Sequence, residues 1–223
     1  MGRTGCIKTN TAKLVEMYIP NNFRISDKQE AIDFITRYSF GTLVTTENGL
    51  PIATHVPFTT KQRDEQLILN SHIALANPQS KTLLNDRVLV IFTEPHAYIS
   101  PIHYEKELSV PTWNYLAVHA YGKVELIEDE QAKLVMLEEM IRFYNDTAYL
   151  AQWTKLPLDF KTKMAKGITA FNIVVDDLQG QKKLSQNKTT AEKQTIINTF
   201  NKSNDANEQQ IAAYMAKEQP SGN

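Results

Sequence analysis

The stretch Val110–Gly122, VPTWNYLAVHAYG, alternates with period two. One set of positions carries Trp113, Tyr115, Ala117, His119 and Tyr121; the other carries Asn114, Leu116, Val118 and Ala120. Successive side chains of a strand point to opposite faces, so this segment makes a strand with one plain apolar face and one face of rings. The rings fit a core, a subunit interface or a planar ligand, and periodicity leaves all three open.

A strand of this kind needs partners, and the chain supplies them at short spacing. FGTLVTT, the turn ENG and LPIATHVPF read as a hairpin, with Pro57 marking an edge or a bulge. QLILNSH reads as a strand, and VLVIF is too continuously apolar to be half-exposed, which predicts a central strand. HAYIS is a further short strand, and the aromatic strand runs on to about Ile127. ITAFNIVV is a strand, LQGQ a turn and KKLSQNK an extended segment. Ser26 with Gln29 has the capping-box pattern and opens a helix ending near Tyr38. Asp129 opens a second helix through Leu134, Leu137, Met140, Ile141 and Tyr144, and TTAEKQTIINTF a third, with a linker containing Trp153 and Pro157 between them. Short strands, hairpins and few helices predict an antiparallel barrel with peripheral helices, mainly β within an α+β class; strictly alternating βα units are absent.

The bounds on function are mostly exclusions. Formal net charge is −1, so no large phosphate-binding surface is implied. A single cysteine, Cys6, rules out an intramolecular disulfide framework, and there is neither a membrane-length apolar run nor an apolar leader, so a cytoplasmic location is expected. Residues 1–16 lack a clear period and are expected to be a disordered N-terminal extension; 17–201 form the folded domain; 202–223 form a polar tail holding at most a short helix. The five histidines, at 55, 72, 96, 103 and 119, show no metal-ligand spacing, so no metal site is expected, and haem ligation by His96 or His103 is equally unspecific. No residue takes the role of catalytic acid, base or nucleophile, and Ser71 beside His72 points the opposite way on a strand. The loop SHIALANPQSK, with Ser71, His72, Asn77 and Lys81, suits either an anion at a helix start or a plain connector. KKLSQNK offers hydroxyl, amide and ammonium donors that would suit a flavin edge, and a solvated loop explains them equally well.

Taken in order, MYIPNNF, GTLVTTENGLPIATHVPF, HIALANPQ, VLVIFTEPHAYISPIHY, VPTWNYLAVHAYG and KLSQNK resemble the PaiB family, described as FMN-binding negative transcriptional regulators. The match runs from about Met17 to Phe200. The resemblance implies an FMN-binding split barrel, related to pyridoxamine-phosphate oxidases, in which two chains form a homodimer with FMN at their interface. Carried over by position, it implies that Thr54, His55, Val56 and Pro57, with Ser71, His72, Asn77 and Lys81, meet the FMN phosphate. It also implies that Thr112, Trp113 and Asn114 approach the ring and that Ser185, Gln186, Asn187 and Lys188 close over it from the same or the second chain. The loop departs from the family pattern at Leu75, in place of an arginine, and at Ser80, in place of a tryptophan; Lys182 stands where an aromatic is expected. The implied role is a repressor that binds FMN. DNA enters as a partner only through the resemblance, and an FMN-dependent oxidoreductase or flavin reductase is the alternative, with a haem-binding split barrel third.

Overall fold

The computed structural model describes residues 17–218. The expectation for residues 1–16, Cys6 included, lies outside the described residues. In chain order the elements are β1 (Arg24–Ile25), α1 (Lys28–Arg37), β2 (Phe40–Glu47), β3 (Leu50–Pro57), β4 (Thr59–Arg63), β5 (Gln66–Ala74), β6 (Val88–Ile99), β7 (Thr112–Ile127), α2 (Glu130–Phe143), α3 (Thr147–Lys155), α4 (Leu158–Lys166), β8 (Ile168–Lys183), α5 (Thr190–Phe200) and α6 (Ala206–Lys217). All strand pairings are antiparallel, in the order β3-β2-β6-β7-β8-β5-β4, with β1 added on β8.

The architecture is a split antiparallel barrel whose ladder is not closed. Its two terminal strands, β3 and β4, are consecutive in the chain, with only Phe58 between them. The sheet therefore meets itself through a covalent bend. Pro57 has no N–H to continue the β2–β3 ladder. Phe58 turns inward, wholly buried and edge-on to Phe92 at 5.6 Å, while its N–H donates to the Ser39 carbonyl at 2.8 Å. Burying one such ring contributes about 1.5–3 kcal/mol. Across the open seam Ser71 Oγ donates to the Pro57 carbonyl at 2.6 Å, and Asn77 Nδ2 donates to Thr54 Oγ1 at 3.1 Å.

The core is the inner face of this sheet. Leu43, Leu69, Val90, Phe92, Val118, Phe171 and Ile173 are all fully buried. Helices stop its ends: α1 with Ile35, α5 with Ile196 and Phe200, and α6 with Ile211, Ala212 and Met215. Helices α2–α4 pack separately, Leu134 on Trp153 and Ala165, and Met136 and Met140 on Ala170. The alternation in β7 is observed: Asn114, Leu116, Val118 and Ala120 are buried, while Trp113 is exposed and Tyr115, His119 and Tyr121 are half-exposed.

Several local expectations are revised. Asp27, not Ser26, caps α1, its carboxylate accepting from Gln29 N at 2.8 Å. VLVIF and HAYIS are one strand, β6, whose register on β7 shifts between Thr93 and His96, where Pro95 interrupts the donors. LQGQ is not a turn: β8 runs straight through it. Gly180 is there because β1 lies against it, and a Cβ would stand 2.8 Å from Ile25 Cβ. The linker around Trp153 is two helices, divided where Leu156 ends α3 and Pro157 starts α4. Residues 206–217 form a helix with one buried face, so most of the expected tail is part of the core. The Asn48–Gly49 turn is as expected, both residues having positive φ (50° and 80°).

Two tests follow. Gly122 lies where the β7–β8 register shifts, and a Cβ there would stand 2.3 Å from the Val174 carbonyl oxygen. Gly122→Ala is expected to cost roughly 1–3 kcal/mol in urea denaturation, because both colliding partners are backbone or core. The second concerns His72 and His119, half-buried with Nδ1 unpartnered among the described residues, whose pKa values burial pushes below the ordinary 6.5. Folding favours their neutral form, so their contribution is complete above about pH 6.5 and is lost as pH falls through that value. Thermal midpoints should fall from pH 7.5 towards pH 5.5, and a His72→Gln/His119→Gln double variant should show a shallower fall.

Candidate functional site

The residues implied to bind the cofactor fall into two groups in one chain. The first surrounds the seam. Thr54 is held by Asn77, whose Oδ1 also accepts from Gln79 N at 2.9 Å and so caps the 3-10 turn Pro78–Lys81. Val56 is buried, Pro57 accepts from the fully buried Ser71, and His72 is half-buried. His55 is exposed on the opposite face of β3, away from Thr54 and Val56, and Lys81 is exposed at the end of the turn. A residue not anticipated from the sequence organises this group. Gln79 is fully buried, and its Nε2 lies within hydrogen-bond distance of the Leu43 and Ile52 carbonyls and Thr45 Oγ1 (3.1–3.2 Å). It pins the turn to β2 and β3. Nothing in a lone glutamine of a polar loop signals that role.

The second group lies where β7 begins and β8 ends. Asn114, wholly buried, donates to Ser185 Oγ at 3.0 Å and to Met215 Sδ at 3.4 Å. One amide thus ties β7, the end of β8 and α6 together. Ser185 takes a left-handed conformation (φ 60°), and KLSQNK folds on itself from there instead of staying extended. Gln186 accepts from Leu184 N and donates to the Lys182 carbonyl, both at 2.7 Å, and Lys188 N donates to the Ser185 carbonyl at 3.0 Å. Lys183 Nζ donates to Thr112 Oγ1 at 2.5 Å, and Lys188 Nζ sits 3.5 Å from the centre of the Tyr104 ring.

These side chains line a cleft of about 320 Å³ together with Asn187, Phe23, Tyr104, Val110 and Pro111. Tyr104 was missed, although it closes the quoted segment SPIHY. Burial, and then the nearby charge of Glu192, push its pKa up, so it keeps its proton at neutral pH. Its buried hydroxyl has no partner among the described residues. Glu192 is committed elsewhere: its carboxylate accepts from Thr189 N at 3.0 Å and Glu105 N at 3.1 Å, and backbone donation, Thr189 first, holds its pKa down. Outside the cleft, on the ring-bearing face, Trp113 is 51% and Tyr98 47% exposed, stacked edge-on at 5.9 Å with His96 nearby at 6.0 Å from Trp113.

The two groups are not adjacent in one chain. Thr54 pairs with Leu43, Leu43 with Val90 and Val90 with Ala120, so Thr54 is level with Ala120 on β7. Asn114 is six residues away along that strand, roughly 20 Å at strand spacing. No helix among the described residues is long and apolar enough to cross a membrane, and no metal-ligating cluster occurs among them.

Comparison with known proteins agrees with this architecture. Residues 17–177 match a family model described as "Putative FMN-binding domain". The "Protease synthase and sporulation protein PAI 2" of Bacillus subtilis (strain 168) is 41% identical over 202 residues, covering 89% of this chain and 96% of that protein. Among solved structures, the flavocytochrome Anf3 from Azotobacter vinelandii superposes with a TM-score of 0.55 at 17% identity, covering 72% of this chain and 69% of the other. The FAD and heme binding protein from Mycobacterium smegmatis gives 0.53 at 15%, covering 71% and 72%. At those identities the likeness concerns the fold. The matched family model and the extent of the Bacillus match are decisive: the chain belongs to the PaiB family of FMN-binding-domain proteins.

Proposed function

We propose that this protein is a homodimeric flavin-responsive regulator that represses transcription and binds FMN where two chains meet. The observation that carries the flavin site is the cleft at the start of β7. It is lined by ammonium, hydroxyl and amide donors, with one buried phenol unpartnered among the described residues and exposed rings beside it. A flavin presents carbonyl and ring-nitrogen acceptors at its edge, carries phosphate oxygens and needs an apolar surface for its plane, so the residues present fit the group. Thr112, Asn114, Ser185, Asn187 and Lys188 would hold it, and Trp113 would cover it. Bound flavin supplies reversible electron or hydride transfer. The chain's own part is to orient it and exclude water.

The two-chain arrangement is supported by the separation of the two residue groups. A ligand that needs both cannot easily draw them from one chain roughly 20 Å apart, whereas a second copy can supply one of them. The exposed Trp113 and Tyr98 give such a contact its aromatic core. The regulatory role follows the name of the Bacillus relative, which refers to protease synthesis and sporulation, and the family's description.

Three outcomes are expected. The purified protein should release FMN, or gain thermal stability with added FMN as RT ln(1 + [L]/Kd), and should sediment as a dimer. Trp113→Ala should weaken both flavin affinity and dimerisation; unchanged affinity and flavin fluorescence would remove Trp113 from the site. Specific DNA should be retained at about 150 mM salt without steady NAD(P)H consumption. Turnover of NAD(P)H with no DNA retention would replace the regulator by an oxidoreductase.

A further inference from the structure

The charges of the cleft are one-sided. No carboxylate lines it, and two lysines do. Lys182, next in sequence to Lys183, is held at 2.7 Å by both Glu30 and Glu218. Lys183 and Lys188 form no salt bridge among the described residues. Each is half-buried and engages only neutral groups, Lys183 the Thr112 hydroxyl and Lys188 the Tyr104 π face. Two partly desolvated ammonium groups beside a protonated phenol are costly unless something negative joins them. The nearest acid, Glu192, already accepts two backbone N–H groups.

The seam group is the opposite. Its one cation, Lys81, is exposed, Asn77 and Ser71 spend their donors inside the fold, and Leu75 brings no charge. Phosphate is the tetrahedral acceptor that two ammonium groups, a phenol and the Thr112 hydroxyl would match in charge and in number of donors.

We propose that the cleft between the start of β7 and the Ser185–Lys188 turn is a phosphate-binding subsite, with Lys183, Lys188, Tyr104 and Thr112 as its donors. This reverses the placement implied by resemblance, in which the seam group takes the phosphate and the turn takes the ring. It rests on the flavin reading only for the identity of the molecule that carries the phosphate.

The test is titration of the full chain with inorganic phosphate at low ionic strength, with sodium chloride matched as control, followed by FMN and riboflavin. Saturable phosphate binding is expected, weakened about tenfold or more in each of Lys183→Met and Lys188→Met. Lys183→Arg should retain it, which also separates loss of charge from loss of fold. FMN bound more tightly than riboflavin, and displaced by phosphate, assigns the subsite to the flavin's own phosphate. Equal binding of the two flavins, with phosphate binding alongside, assigns it to a separate phosphorylated ligand. Phosphate binding without any flavin binding keeps the subsite and removes the flavin reading. No phosphate effect beyond chloride, or the same affinity in both Met variants, overturns the proposal.

Discussion

The β7–β8 ladder is the constraint on which the rest depends. These two sixteen-residue strands pair from Tyr115–Lys183 to Ile127–Ala170, and nearly every other element is placed relative to them. β6 hangs on the free side of β7, and β5 and β1 on that of β8. The ladder is longer than the barrel it helps to form. Its overhang at the Thr112 and Lys183 end leaves Asn114 needing a partner beyond the sheet, and Ser185 and α6 provide it. The cleft is thus a product of strand length.

Why the overhang is ordered has a physical answer. A wholly buried amide without partners costs about 1–3 kcal/mol, so Asn114 selects the one turn geometry that satisfies it. That geometry requires positive φ at Ser185, a mild penalty in a non-glycine residue. The capping box of Thr189 and Glu192 then starts α5 at once, and the same carboxylate reaches back to Glu105 N. The Tyr104 segment, the turn and α5 are locked by one acidic side chain, which leaves the two lysines as the uncommitted charges.

The parts of this that were legible in the sequence are those set by period and by turn chemistry. The alternation of Trp113–Tyr121, the Asn48–Gly49 hairpin, the central β6 and the edge nature of Pro57 all come from local rules and appear in the fold. Long-range choices were not legible. Gly180 looks like a turn residue until β1 is seen lying on it, and Trp153 looks like a linker residue until Leu134 and Ala165 bury it. Residues 206–217 look polar because only Ile211, Ala212 and Met215 face inward, and which face that is depends on α5 and the β6 region. At the site, donors could be listed from KLSQNK, but their neutral or charged partners could not. Lys182 and Lys183 are identical letters with opposite fates, one bridged twice and one facing the cleft.

That difference bears on how the open seam and the cleft share a function. A fully closed ladder would satisfy every strand by itself and leave no reason for side chains to bridge β3 and β5. Here the bend at Phe58 replaces a ladder, and Ser71, Asn77 and Gln79 use their polar atoms to hold it. Donors spent on the fold are poorly placed to release them to a ligand, since each would leave a buried acceptor unpaired. The seam is therefore best suited to contact a ligand by shape and by exposed groups such as His55 and Lys81. The overhanging end, whose cations meet only neutral groups, is suited to contact it by charge. The division follows from where the ladder ends and where the sheet fails to close, before any ligand is considered.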